Sequence, residues 1–201
     1  MSTKTKIIKS SVELFNNKGF NETTIRDIAA ATGISSGNFA YHFKNKEAVI
    51  EYFYNHMYDE VHIDDKIKET DDFKTLNDVF KYITSFMEKY RFFYINLIDI
   101  FNTCPLIKDN YYQNYQDRIG FYRKYLVHYI ALGLLDSSQE KYILTKIPHS
   151  IWFQLTFWQA QKKVLPHDFE TVKSKYIIDN IWGLITPFMT TKGKENFEKV
   201  K

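Results

Sequence analysis

The 201 residues include one cysteine, four prolines and seven glycines. A lone Cys104 cannot form an intrachain disulfide, and such sparing use fits a reducing compartment. So few breakers and turn formers argue against an all-β sandwich and for long helices. No apolar run approaches the roughly 18 residues that span a bilayer. Ile151–Trp158 is interrupted by Gln154 and Thr156, and Ile181–Met189 is as short. The opening Met-Ser-Thr-Lys-Thr-Lys has no apolar stretch, so no secretory leader and no membrane partner are expected, and the expected location is cytoplasmic.

Catalytic and metal signatures are absent too. The six histidines, His42, His56, His62, His128, His149 and His167, form no HxxxH or HExxH pair. There is no GxGxxG, P-loop or GxSxG. Asp64-Asp65 and Asp71-Asp72 fall in a charged stretch that reads as a solvated loop. The expectation is a protein that is not an enzyme and carries no cofactor or metal.

What is present is unevenly placed. Hydrophobic residues make up 44% and charged residues 25%, the proportions of a folded globular chain. Residues 1–50 hold seven basic and four acidic residues, while the remainder is neutral, so the whole excess of +3 sits in the first quarter. A local basic excess hints at a polyanionic partner. Aromatics reach 17%, and 30 of the 35 rings lie beyond residue 50.

Ile7, Ile8, Val12, Leu14 and Phe15 recur at helical spacing and predict a helix from about Thr5 to Lys18, stopped by Gly19. Thr24-Ile25-Arg26-Asp27 has the capping-box pattern and opens a second helix, which Gly33 ends. Ser35 caps a short third helix from Ser36 to about Tyr41, and Asn45 caps a fourth from Lys46. Two short helices joined by a Gly-containing turn make a helix-turn-helix, although the pattern alone is more often a plain αα-hairpin. Ala29 is small enough to permit a close crossing, and Ile34 and Phe39 are expected to drop into a core with Phe15 and Ile28.

The residues match more than a pattern. Leu14-Phe15-Asn16-Asn17-Lys18-Gly19-Phe20, Thr23 to Ala29, Gly33 to Phe39 and Tyr41 to Glu47 follow in order and at fixed spacing. Over residues 7–53 the chain resembles the N-terminal domain of the TetR family of bacterial transcriptional regulators. The resemblance implies an all-α protein with an N-terminal helix-turn-helix domain, 1–47, and a larger helical effector-binding and dimerisation domain, 48–201. It implies a homodimer on double-stranded DNA at an inverted-repeat operator, acting as a repressor released by a small apolar or aromatic ligand. The alternative is a DNA-binding protein whose C-terminal domain is a protein or peptide interaction module.

Under that resemblance the third helix lies in the major groove. Ser35, Ser36 and Asn38 offer short polar groups to base edges, with Ser35 also the helix cap, and Gly37 permits close approach. Tyr41 and His42 follow one turn later, His42 being a phosphate contact or helix-end packing. Lys44 and Lys46, at the start of a helix whose free N–H groups favour an anion, read as a phosphate clamp. Thr24 and Arg26 join them at the start of the second helix, and Lys4 and Lys6 are expected to form a mobile basic arm. The family usually has tyrosine where this chain has Ala40, which puts one backbone contact in doubt.

Beyond Glu51 the pattern stays helical. The fourth helix is expected to continue through Val61. Further helices are expected from a Thr75–Asp78 capping box, from Phe92 to Phe101, from Leu106 to Leu132, from Ser137 to Val164, and from Phe169 to Met189. Pro166 separates the last two. Phe93, Tyr94, Leu97, Phe121, Tyr125, His149, Phe153 and Phe157 are the candidates to line a ligand pocket. Trp152, Trp158, Ile177, Ile178, Ile181, Trp182 and Ile185 are large and apolar, and are the candidate dimer interface in the last two helices.

Overall fold

The computed structural model describes residues 2–57, 72–165 and 174–200. It is all-α: among the described residues the only strand-like pairing is an isolated bridge between Leu135 and Met189. The helices are α1 (Thr3–Lys18), α2 (Ile25–Thr32), α3 (Ser36–His42), α4 (Lys46–Met57), α5 (Lys74–Lys89), α6 (Arg91–Ile95), α7 (Leu97–Thr103), α8 (Pro105–Ala131), α9 (Glu140–Val164), α10 (Ser174–Ile185) and α11 (Thr191–Phe197). Val61, the charged stretch before Asp72, Pro166 and the Phe169 start of the last long helix lie outside the described residues.

Two compact units result. One comprises Met1–His62 with Tyr90–Asn110, the other Ile63–Lys89 with Tyr111–Lys201. This division differs from a cut between residues 47 and 48, because α6 and α7 pack with the N-terminal helices. Phe92 lies 5.1 Å from Phe15 and 5.4 Å from Phe53, centroid to centroid. The Phe92 backbone N–H donates to Asn16 Oδ1 at 3.0 Å, and Arg91 donates to the Asn16 carbonyl at 3.3 Å. The contacts to Phe15 and Asn16 link residues more than seventy positions apart, which no local pattern reveals.

In this first unit the local signals act as read, except that Ile34, expected in the core, is only half-buried. Gly19 follows α1, and Phe20 folds back edge-on to Phe15 at 5.4 Å. The Thr24 hydroxyl accepts from the Asp27 N–H, and the Asp27 carboxylate accepts from the Thr24 N–H at 2.8 Å, so both halves of the capping box are present. Gly33 takes the left-handed conformation, φ 73°, that a Cβ disfavours. Ile28, Ala29 and Phe39 are buried with Ile7, Phe15 and Ile50.

The second unit centres on Trp182. Its indole N–H donates to the buried Asn77 Oδ1 at 3.0 Å, and its ring meets Phe73, Phe80 and Phe197 at 5.4, 5.7 and 4.7 Å. The Thr75–Asp78 pattern is not where α5 begins: the helix starts at Lys74, whose N–H donates to the Asp72 carboxylate. Thr75 and Asn77 are buried in the first turns instead. Pro187 ends α10 through a short 3-10 turn, Thr186–Phe188, and α11 then follows, a helix the sequence pattern missed. Thr190 caps it, and Gly193 presses on the Leu134 carbonyl so closely that a Cβ would collide with that backbone.

Candidate nucleic-acid interface

The α3 helix is short because its two ends are fixed from the sequence. Ser35 is extended, and its hydroxyl oxygen accepts from the Asn38 N–H at 3.1 Å. That bond uses the oxygen and leaves the hydroxyl proton free to donate. Phe43 is extended again and closes the helix. Of its seven residues only Phe39 is buried. Ser35, Ser36, Gly37, Asn38 and Ala40 are exposed, and Tyr41 is 85% exposed. This bare aromatic lies beside short hydroxyl and amide groups. His42 is half-buried, with its ring edge-on to Tyr41 at 5.2 Å.

Around α3 the predicted phosphate contacts divide. Lys44 and Arg26 are exposed and keep their charges at the surface. Lys46 does not. Its ammonium donates to the Phe20 carbonyl at 2.8 Å and sits 4.4 Å from the Phe20 ring. It caps a carbonyl that the α1–α2 turn leaves unpaired, so the reading as a phosphate clamp gives way to a structural tether. The Thr24 hydroxyl is also engaged, donating to Asp27 at 2.7 Å. It therefore has no proton to offer a phosphate, although the first backbone N–H groups of α2 remain at that end. Lys4 and Lys6 are not a mobile arm: both lie in α1, and the Lys4 ammonium rests 3.8 Å from the Tyr52 ring.

Sequence reading missed Lys18. Its ammonium pairs with Asp27 at 2.7 Å and, ahead of the Thr24 backbone and hydroxyl bonds, holds that carboxyl well below the usual carboxylate range. Lys18 belongs to α1, so the capping-box spacing carries no trace of it.

The candidate ligand and dimer residues are also placed. Phe93, Tyr94 and Leu97 are buried in the first unit, where Phe93 packs on Tyr54 at 5.3 Å. The other five belong to the second unit. Tyr125 is buried against the half-buried Phe121, and the half-buried His149 bonds the Tyr115 hydroxyl through Nδ1 at 2.7 Å. Phe153 and Phe157 are exposed, 64% and 39%, with rings 5.5 Å apart. A cavity of about 300 Å³ in the second unit is lined by none of these eight. Trp152, Trp158, Ile177, Ile178, Ile181, Trp182 and Ile185 are all buried within the single chain. Their size pointed to an interface, but helix phase turns them inward and turns Phe153 and Phe157 out. Among the described residues no acidic, His and Cys cluster could hold a metal ion, and no helix is long and apolar enough to cross a membrane.

Comparison with known proteins agrees with this geometry. The family model described as bacterial regulatory proteins, tetR family, matches residues 7–53, and that described as TetR, bacterial transcriptional repressor, matches residues 54–197. A 47-residue stretch is 55% identical to the uncharacterized HTH-type transcriptional regulator YerO of Bacillus subtilis, covering 23% of this chain and 16% of that protein. A stretch of 102 residues is 28% identical to the biofilm operon icaADBC HTH-type negative transcriptional regulator IcaR of Staphylococcus epidermidis, covering 47% and 52%. The matches thus span about a sixth to a half of these curated relatives. A solved structure of a TetR-family transcriptional regulator from Marinobacter aquaeolei VT8 superimposes with a TM-score of 0.85 at 26% identity, covering 97% of this chain and 95% of that one.

Proposed function

The chain belongs to the TetR family of bacterial transcriptional regulators, and from that premise we propose that it is a homodimeric repressor of an inverted-repeat operator, released by a small ligand. Members of the family are DNA-binding transcription factors and not enzymes. The observation that carries the reading is α3, which gives Phe39 to the core, half-buries His42 and leaves Ser36, Asn38, Ala40 and Tyr41 exposed. Asn38 reads an adenine edge, Ser35 and Ser36 bond bases or phosphate, and Tyr41 meets the backbone or a thymine methyl. Lys44 and Arg26 neutralise phosphates. Tyr41 takes the backbone contact that Ala40 lacks.

A second copy covers the exposed face of α9 and α10. Phe153, Phe157 and Val164 lie along one stripe of α9, with Tyr176 exposed on α10. Apolar side chains at this spacing and exposure are the stripe one helix offers another. A two-fold dimer then presents two α3 helices to half-sites about 34–36 Å apart, one turn of DNA. Ligand binding favours a state in which that spacing is lost. A coupling of about 1–3 kcal/mol changes operator affinity roughly 5- to 150-fold.

Selection from random duplex DNA at near-physiological salt tests this. The expected result is an enriched inverted repeat with half-sites one turn apart. A folded, dimeric protein that enriches no motif overturns the reading. Phe157→Glu provides the dimer arm: it should yield monomers by sedimentation with the helical content intact.

A further inference from the structure

The cavity in the second unit is built from α5, α10 and the C-terminal helix α11. Its lining has an apolar side and a cationic side. Trp182 and Phe197 line it, packed on each other with ring centroids 4.7 Å apart, and the buried Ile178 lies beside them. Lys81 and Lys175 line it from α5 and α10. Lys175 binds both oxygens of Asp179 at 2.9 Å, so that lining carboxylate is already neutralised. Lys81 meets only one oxygen of Asp78, at 3.2 Å, and Asp78 does not line the cavity. An exposed pair joined through one oxygen holds its lysine weakly. The Ser174 hydroxyl side chain, on α10, also lines the space.

We propose that this cavity is the effector site and that it takes a small aromatic carboxylate. The ring lies against Trp182 and Phe197. The carboxylate turns toward Lys81, with the Ser174 hydroxyl beside it. A volume of about 300 Å³ is at the small end of ligand cavities and admits one or two fused rings, not a long acyl chain. The effector role rests on the repressor reading above; the binding itself does not.

The test uses the full-length protein, with 1-naphthoate and the neutral 1-naphthalenemethanol as probes in equilibrium dialysis. Naphthoate should bind saturably, one per chain. Lys81→Met should weaken naphthoate about tenfold, the effect of removing one charge-assisted hydrogen bond, and leave the alcohol unchanged. Lys81 is exposed and its aliphatic stem is kept, so this variant should retain the wild-type melting temperature. Ser174→Trp fills the cavity and should abolish binding of both probes. No saturable naphthoate binding, or binding indifferent to both variants, overturns the site. Naphthoate that binds there but leaves affinity for a selected operator unchanged overturns the effector role. A ligand-free protein that selects no operator removes the repressor reading while the dialysis result stands.

Discussion

Helices α3 and α10 use the same geometry for opposite ends. The seven residues of α3 bury one side chain, Phe39. The twelve of α10 bury five: Ile177, Ile178, Ile181, Trp182 and Ile185. The α10 stripe repeats at three- and four-residue intervals and fixes the helix along its whole length. One anchor and two fixed ends hold α3. A surface that reads another molecule needs its side chains free, and α3 frees them by leaving its stability to caps and to a single ring. The second unit, which carries most of the rings, buries Phe73, Phe80, Trp158 and Trp182 in its own core and leaves Phe153 and Phe157 outside.

The difference can be broken most sharply at the anchors. Phe39→Ala should cost about 3–5 kcal/mol in urea unfolding, and Ile181→Ala about 2–5 kcal/mol, because each empties a buried site. Substituting Ser36 or Tyr41 by alanine should stay within about 0.5 kcal/mol of wild type. Comparable losses from the exposed and the buried positions would erase the contrast. Next is recognition: Asn38→Ala should lose about 1–3 kcal/mol of discrimination at one base pair of each half-site, with stability unchanged. Competition binding across single-base operator variants measures it.

A smaller effect separates two lysines two residues apart. Lys46→Met should lower stability by about 1–2 kcal/mol, because the Phe20 carbonyl and ring then have no cation. The slope of log K against log salt should stay as it was. Lys44→Ala should leave the melting temperature unchanged and reduce that slope by about 0.9 for each phosphate it no longer neutralises. The reverse assignment would return Lys46 to the DNA. The smallest effect concerns Asp27, whose folded-state carboxyl is held low chiefly by Lys18. A depressed carboxyl stabilises the fold above its unfolded value, near pH 4, and that contribution disappears as pH falls through the folded value. Melting temperature should therefore fall more steeply below about pH 4 in wild type than in Asp27→Asn.

These contrasts also mark what could be read from the chain alone. The α1–α4 region was legible because its signals are local: Thr24, Gly33, Ser35 and Asn45 each act within four residues. The bare face of α3 followed from the same spacing. Lys46 and Lys18 were not legible in full, because their partners lie on other elements and sequence spacing does not encode which. Trp182 and Phe157 look alike as letters at helical intervals. Only packing decides that one joins Asn77 and Phe73 inside while the other is left outside. The cavity escaped for the same reason: its lining comes from α5, α10 and α11, a helix capped by Thr190 just past the Met189 where the pattern placed the end of the last one.

The single anchor of α3 has an evolutionary consequence. Ser36, Gly37, Asn38, Ala40 and Tyr41 contribute little burial, so changes there need no compensating mutation elsewhere to keep the chain folded. After gene duplication, two copies could come to address different promoters by point changes at these five positions while sharing every other residue. The same freedom lets a designer transplant a new address onto this scaffold, provided Phe39 and the two ends of the helix are left alone.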